Sequence, residues 1–402
     1  MAVVATAAML LGSCSSGGDD VPPDRTDPAA CDASKGPLVV GVIAPLSGEL
    51  VAQGKGIENA TRLAVDQANK RCAVNGYKLV VQAEDDGMNP KLGVQVATKL
   101  AATKNIVGVV STLNSSVSEK VQPVLDGAGI LQISPANTAD SLSKGKDFAT
   151  NPKRPFPTYF RTCTVDSLQG PFAADYLVEK AKKRNIAIVT DGLTYGEGLA
   201  DSFTTQAQEK GATIVTRQRI GDGVTDFAKV IAALKPFSPD AVYFGGQYPE
   251  AAPLSAQLAA GGQKGPVMGG DGIFNNSFMT LGGREGDLAT SVGAPTEDLD
   301  SAQEFAKAYQ SAGYPESFGA YGAFAYDAAN AIIGSLTATV GDGRWSDSMR
   351  DELVANAGRY KGDGATGKVS FDEYGDTGNH VLTVYRVTAG KWDAVETGEY
   401  IG

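Results

Sequence analysis

From residue 37 onward, two rhythms of apolar positions alternate along the chain. Leu38-Val-Val-Gly-Val-Ile-Ala44 is a short continuous apolar run, which predicts a strand covered on both faces. The stretch 57–70 follows, with Ala60, Leu63, Ala64 and Ala68 at helical spacing. The same pairing recurs as a strand at 77–83, a helix at 92–103, a strand at 106–110, a helix at 116–127 and a strand at 130–133. Strand–helix alternation of this kind implies βαβ units and a parallel sheet with helices on both faces.

After a polar loop at 139–157 the series starts afresh. Strands are predicted at 158–162, 185–190, 213–217, 241–244 and 267–268, with helices at 168–183, 199–210, 227–234 and 251–260 between them. Past Ala294-Pro295 come helices at 299–312 and 319–336, the second apolar nearly all round and so buried. Asp327 and Asn330 interrupt it, which argues against a membrane span. Strands at 369–371, 381–387 and 391–396 close the chain with a hairpin. No fixed-period repeat is visible. The expectation is an α/β protein with two similar lobes in tandem.

Composition adds exclusions. A formal net charge of −11 over 402 residues argues against a nucleic-acid partner, because phosphate backbones are held by clustered Lys and Arg. The one basic cluster, Lys144, Lys146, Lys153 and Arg154, reads as a solvated loop. At the N-terminus, residues 2–11 form an apolar run far shorter than the ~20 residues of a spanning helix. It ends at Leu11-Gly12-Ser13-Cys14, which resembles the lipobox of bacterial lipoproteins, whose signal is cut before a cysteine that then carries lipid. Residues 15–36 are mostly Ser, Gly, Asp, Pro and Thr, too poor in large apolar side chains to order themselves, and predict a tether.

Secretion permits a disulfide. Cys31 precedes the first strand and Cys72 follows the first helix, positions that return to one edge of a strand–helix unit, so a Cys31–Cys72 bridge is expected. Cys163, in an apolar context, is expected to be a buried free thiol. With three such cysteines and one histidine, His380, no metal site is expected. Walker A, zincin, nucleophile-elbow and C-x-x-C patterns are all missing. Gly54-Lys55-Gly56 resembles a dinucleotide loop, but it stands ten residues past the strand, too far for the tight turn, and Asn59 holds the third glycine position. No cofactor and no catalysis are expected, and the pair Asp85-Asp86 reads as a solvated strand end.

Several stretches together resemble the branched-chain amino-acid-binding proteins of ABC importers. They are Val42-Ile-Ala-Pro-Leu-Ser-Gly48, Gly129-Ile-Leu-Gln-Ile-Ser-Pro135, Phe160-Arg-Thr162, Tyr195-Gly-Glu-Gly-Leu199, Asp226-Phe227, Gly245-Gly-Gln-Tyr-Pro-Glu250 and Gly269-Gly-Asp-Gly272. The resemblance implies a type I periplasmic binding fold: two Rossmann-like lobes joined by three crossovers, with the ligand in the cleft between them. Lobe 1 would be 37–165 plus 296–378, and lobe 2 would be 166–295 plus 379–402. It implies a monomeric extracytoplasmic receptor, held to the membrane through Cys14, that passes an amino acid or amide to permease subunits. A ligand sensor of the same fold, read by a signalling partner, is the alternative.

Site residues follow from strand ends, where open α/β sheets bind ligands. Asn114-Ser115-Ser116 opens a helix after the strand at 106–110, and Ser116-x-x-Glu119 reads as a capping box, leaving Ser115 for a ligand carboxylate. The resemblance assigns Ser115 the same role, gives the Ala136 carbonyl to the ligand ammonium, and lets Thr138 touch both groups. Asp271, between glycines, corresponds to an acid that pairs with the ammonium; Tyr195 and Tyr321 match aromatics lining the cleft. Gln53 and Gln247 stand where the family carries aromatics, although Tyr248 matches. Two amides for two rings imply a more polar pocket, which leaves polar amino acids, amides and urea-like compounds open beside leucine, isoleucine and valine.

Overall fold

The structure, a computed structural model, describes residues 31–401 apart from Asp222. Cys14 and residues 15–30 of the expected tether lie outside the described residues.

The first sheet is assembled from β1 (Pro37–Ala44), α1 (Val51–Lys70), β2 (Lys78–Asp85), α2 (Pro90–Ala101), β3 (Ile106–Ser111), α3 (Ser115–Gly127), β4 (Gln132–Ser134), the one-turn α4 (Ser141–Lys144) and β5 (Tyr159–Arg161). Its strands run in the order β2-β1-β3-β4-β5, all parallel. Strand periodicity decides what each side chain packs against. Val40, Val42 and Ala44 join α1 in one core, whereas Val39 and Ile43 point the other way onto α2 and α3. This is why β1 reads as an unbroken apolar run. Val96, Leu100, Val117, Val121 and Leu125 complete the second face.

A second sheet takes β6 (Asn185–Thr190), β7 (Thr213–Arg219), β8 (Ala241–Gly245), β9 (Val267–Gly269) and β10 (Leu288–Val292). The helices α5 (Asp166–Asp175), α6 (Thr194–Glu209), α7 (Ala228–Leu234), α8 (Tyr248–Ala260) and α9 (Ser277–Thr280) belong to the same stretch, and α5 continues into a π-helical turn, Tyr176–Lys180. The chain then returns to the first sheet as α10 (Asp300–Ala312), α11 (Gly322–Val340), α12 (Arg350–Gly358) and the small hairpin β11 (Lys361–Gly364) and β12 (Gly367–Ser370). It crosses once more to add β13 (Val381–Thr388) and β14 (Lys391–Glu399), giving the order β14-β13-β10-β9-β8-β6-β7. The second sheet is therefore mixed, with β10–β13 and β13–β14 antiparallel.

Three passages thus join the lobes, after Arg161, after Val292 and after Ser370. Arg161 binds two of them together. Fully buried, it donates to Asp376 (2.6 Å), to the carbonyls of Asn137 (2.8 Å) and Ala139 (3.0 Å), and to the Ser143 hydroxyl. Thr162 anchors the same strand end to the Phe324 carbonyl of α11 (2.9 Å). The Phe160-Arg-Thr162 stretch therefore clamps two of the passages to the first lobe.

Three sequence expectations change. Helix α1 begins at Val51, six residues before its periodic region, because Gly54 and Gly56 must lie against other backbone: a Cβ would meet the Pro45 oxygen at 1.9 Å and the Phe318 oxygen at 2.6 Å. Those glycines serve close packing. Lys144 and Arg154 are not solvated; Lys144 pairs with Asp376 (3.1 Å), and Arg154 donates to the Tyr159 (2.7 Å) and Pro157 (3.0 Å) carbonyls. Asp86 is no solvated strand end either. It is fully buried, accepts from the Met88 amide (2.9 Å), and is pushed up to about 7 by burial.

The Cys31–Cys72 disulfide is present, with Cα atoms 5.5 Å apart, and Cys163 is free and buried. Closing that 41-residue separation is worth about 4 kcal/mol in the chain-entropy picture. Asp327, which interrupts the apolar α11, accepts from the Ala365 (2.6 Å) and Thr366 (2.9 Å) amides and so ties the helix to the β11–β12 turn. Among the described residues, no helix is long and apolar enough to cross a membrane.

Candidate ligand-binding site

The carboxyl ends of both sheets face one another across the seam between the lobes. From the first lobe, β3 ends at Ser111 and α3 starts at Ser115, which is 2% exposed. Asn114 takes the N-cap position in extended conformation (φ −83°, ψ 129°) with no side-chain cap bond, and its Oδ1 is buried without a partner. The expected capping box does not form. Glu119 instead accepts from the Thr194 hydroxyl of the other lobe (3.1 Å) and from Lys120 (3.0 Å). After β4, the Ser134 hydroxyl accepts from the amides of Ala136 (3.2 Å) and Asn137 (2.9 Å), which folds the 136–138 turn into the seam. Thr138 is fully buried there, and its carbonyl accepts the Asp166 amide that opens α5 (2.9 Å).

The second lobe contributes Asp271, 1% exposed in the turn after β9. Its carboxylate accepts from the Gln169 amide (3.0 Å) and the Tyr195 hydroxyl (2.8 Å) on one oxygen, and from the Tyr321 hydroxyl (2.9 Å) on the other. Gln169 and Tyr195 belong to the second lobe, while Tyr321 caps α11 on the first, so Asp271 joins the two. Gly270 and Gly272 are required beside it: a Cβ at Gly270 would meet the Tyr195 hydroxyl at 2.4 Å, and one at Gly272 the Gly246 oxygen at 2.7 Å. Burial raises the Asp271 pKa against the pull of its three side-chain donors. Asp166, fully buried close by, is raised further by desolvation and by the charges of Asp140 and Asp271, against the Thr138 hydroxyl and Arg161. Such a site holds more negative charge than its own cations balance, and a positive ligand group there gains what a solvated pair does not.

The remaining expected residues divide. Ser115, Asn114, Tyr195 and Gln247 line one cavity of about 30 Å³ together with Asp191 and Glu250. Gln53 lines a different one, about 360 Å³, walled by Phe274, Phe318 and Trp392. The two amides expected to share a pocket are therefore separated. Both Gln53 amide atoms and the Gln247 Oε1 are buried without partners. Tyr248 is a latch: its hydroxyl donates to the Glu49 carbonyl of the first lobe (2.6 Å).

Sequence reasoning missed Asp166, Gln169, Asp191 and Glu250. A charge at the start of the helix after a crossover was the available signal for Asp166, and the Tyr-Pro-Glu end of a matched stretch for Glu250. Gln169 gave none, since an amide in a helix reads as surface. Among the described residues no group of His, Cys, Asp or Glu could hold a metal ion.

Comparison with known proteins places this geometry. The profile described as periplasmic binding protein matches residues 37–391. The Leu/Ile/Val-binding protein BraC3 of Rhizobium johnstonii is 33% identical over 366 residues, covering 89% of this chain and 94% of that one. Among solved structures, the branched-chain amino acid transporter substrate-binding protein LivJ of Streptococcus pneumoniae, in complex with isoleucine, superposes with a TM-score of 0.79 at 25% identity over 90% of this chain and 99% of that one. The leucine-binding protein LivK of Thermotoga maritima gives 0.78 at 22%, over 90% and 98%. With buried polar groups gathered at the seam of two α/β lobes and a profile match over most of its length, the chain belongs to the periplasmic binding protein family.

Proposed function

We propose that the protein binds a small amino-acid-like solute outside the cytoplasm and delivers it to the permease of an ABC importer. The observation that carries this is Asp271: a buried carboxylate, short of positive charge, reached by hydroxyls from both lobes at once. A ligand ammonium on Asp271 with its carboxylate on Ser115 bridges the lobes, and a ligand shifts an open–closed equilibrium only through contacts of that differential kind. Ala136 and Thr138 stand on the same turn to receive the ammonium and carboxylate. The lobes in this reading are 37–165 plus 296–378 and 166–295 plus 379–402, moving about the three passages as a hinge. The relatives that bind branched-chain amino acids by name support the amino-acid class.

Attachment through a lipidated Cys14, with residues 15–36 as tether and the protein working as a monomer, completes the proposal. A thermal-shift screen over the common amino acids and small amides tests the binding claim, since a ligand held only by the folded state raises the melting temperature. No shift with any compound bearing an α-ammonium and a carboxylate would refute it. For the anchor, Cys14→Ala should leave the protein unprocessed or release it from the membrane fraction, and unchanged fractionation and mass would remove the lipid from the account.

A further inference from the structure

Beside the expected α-amino and carboxylate contacts lies a second group of polar residues. The cavity that holds Ser115 and Tyr195 is also lined by Gln247 and Glu250, from the start of α8, and by Asp191, from the turn after β6, with Met88 and Leu193 as its apolar members. Glu250 is 6% exposed, Gln247 8% and Asn114 7%. The Asn114 Oδ1 and Gln247 Oε1 have no hydrogen-bond partner. Two acceptors buried to that degree are costly while unmet, which is a standing demand for donors. The charges acting on Glu250 are those of Asp191 and Glu49, both acidic. Burial and these neighbours push the Glu250 carboxyl up to about 7, as expected where an acid lacks a counter-charge.

An aliphatic side chain of leucine or isoleucine answers none of this. It would leave both amide oxygens unpaired and seal an acid against hydrocarbon. The aromatic-walled cavity beside Gln53 suits apolar groups better, but it does not include Ser115; Asp271 lines neither cavity and touches the Ser115 cavity through Tyr195, whose hydroxyl it accepts. At about 30 Å³ the acidic cavity is far below the roughly 300 Å³ of ordinary ligand pockets, so the lobes part along their hinge when it fills.

We infer that the solute carries a second, distal cationic group, as in a basic amino acid, and that Glu250 with the Gln247 and Asn114 side-chain oxygens receives it. This rests on the amino-acid reading of the site given above. Recognition then works at two ends: Asp271 and Ser115 fix the α-amino acid, and Glu250 selects the side chain. A site built to hydrogen-bond a polar group rejects the analogue that lacks it far more strongly than an apolar pocket rejects a missing methylene.

Calorimetry on the full chain with L-ornithine, L-lysine, L-arginine, L-leucine, L-norleucine and cadaverine separates the possibilities. Norleucine is lysine without its terminal amine; cadaverine is lysine without its carboxylate. The tightest basic amino acid should exceed norleucine and leucine by at least a hundredfold in Kd. Glu250→Gln should cut that ratio tenfold or more while leaving the affinity for norleucine within threefold, and Gln247→Leu should cut it independently if Glu250→Gln folds poorly. Leucine or norleucine binding as tightly as the basic amino acids would overturn the distal cation and leave the amino-acid reading standing. Cadaverine matching lysine would instead remove the Ser115 carboxylate contact on which the amino-acid reading depends. Binding of none of the six by the folded protein overturns the distal cation and leaves the amino-acid reading to the wider thermal-shift screen. A preference for lysine over norleucine that survives both substitutions would overturn the assignment to Glu250.

Discussion

If Asp271 binds the ligand as proposed, Asp271→Asn should separate binding from folding, because the carboxylate would then serve the ligand at the expense of the ligand-free closed state. In wild type it accepts three side-chain hydrogen bonds, from Gln169 at 3.0 Å, Tyr195 at 2.8 Å and Tyr321 at 2.9 Å, while almost fully buried. Asparagine keeps the volume, and its one oxygen can still accept from Gln169 and Tyr195. The Tyr321 hydroxyl must turn from donor to acceptor toward the new NH₂, at a cost of about 1 kcal/mol for one altered hydrogen bond. Against this stands relief of a buried charge whose pKa is raised by desolvation. These effects have similar size and opposite sign, so ligand-free stability by urea unfolding at pH 7 should stay within about 1 kcal/mol of wild type. Affinity for a zwitterionic ligand should fall by about 2–5 kcal/mol, roughly 30-fold to 4,000-fold in Kd. Calorimetry and unfolding on the same preparation give both numbers. An unchanged Kd, or a stability loss above about 3 kcal/mol with binding retained, would show that Asp271 is a structural acid.

Arg161→Met leaves Asp376 buried without its strongest partner and frees the Asn137 and Ala139 carbonyls, so urea unfolding should show a loss of about 3–5 kcal/mol; under 1 kcal/mol would mean the crossovers are held otherwise. Ligand-free stability should fall as pH rises from about 5 to 8. Glu250, raised from 4.5 to about 7, contributes stability that is present below the unfolded-state pKa and lost through the folded one, and Asp86 (about 7) and Asp327 (about 6) act with the same sign. Glu250→Gln should remove about 3 kcal/mol of that slope, and melts that are equally pH-dependent in the variant would refute the assignment.

The fold was legible where periodicity had a single interpretation. The strand at 185–190 agrees residue for residue, because a run buried on both faces looks the same in sequence and in space. Strand β10 was missed: five residues, Leu-Ala-Thr-Ser-Val, are too short and too mixed to announce the position where the sheet turns from parallel to antiparallel. Helix α12 fully buries just Leu353 and Ala357, with Val354 partly buried beside them, too little for a periodic signal. In the site, the first-lobe turns and Asp271 were legible through strand ends and the family resemblance. The sequence could not show that Gln53 and Gln247 line separate cavities, because that depends on how two lobes meet, and no local pattern encodes that distance. Ser116-x-x-Glu119 is the instructive failure. Its spacing suits a capping box, but Glu119 is drawn across the seam to Thr194.

That seam explains why selectivity and closure belong to one process. Apart from bonds at the crossovers, such as Asp166 to the Thr138 carbonyl and Ser167 to Asp140, three hydrogen bonds among the described residues span it: Tyr321 to Asp271, Thr194 to Glu119, and Tyr248 to the Glu49 carbonyl. At about 0.5–1.5 kcal/mol net apiece they favour closure by only a few kcal/mol. In the closed form Asp271 and Asp166, neighbours on the second lobe, are both buried, and burial opposes the charge on each. Near neutral pH the ligand-free closed form must either carry those charges out of water or take up protons, and both oppose the three bonds. In the proposed reading a ligand ammonium would remove that opposition, and its gain would then appear as closure more than as simple affinity for one lobe. A neutral isostere of the right shape would fill the space, leave the carboxylates uncompensated, and fail to hold the lobes together. A permease that engages the closed form would therefore discriminate by ligand charge without touching the ligand, through an equilibrium set by Asp271, Asp166 and the hydroxyls that reach across to them.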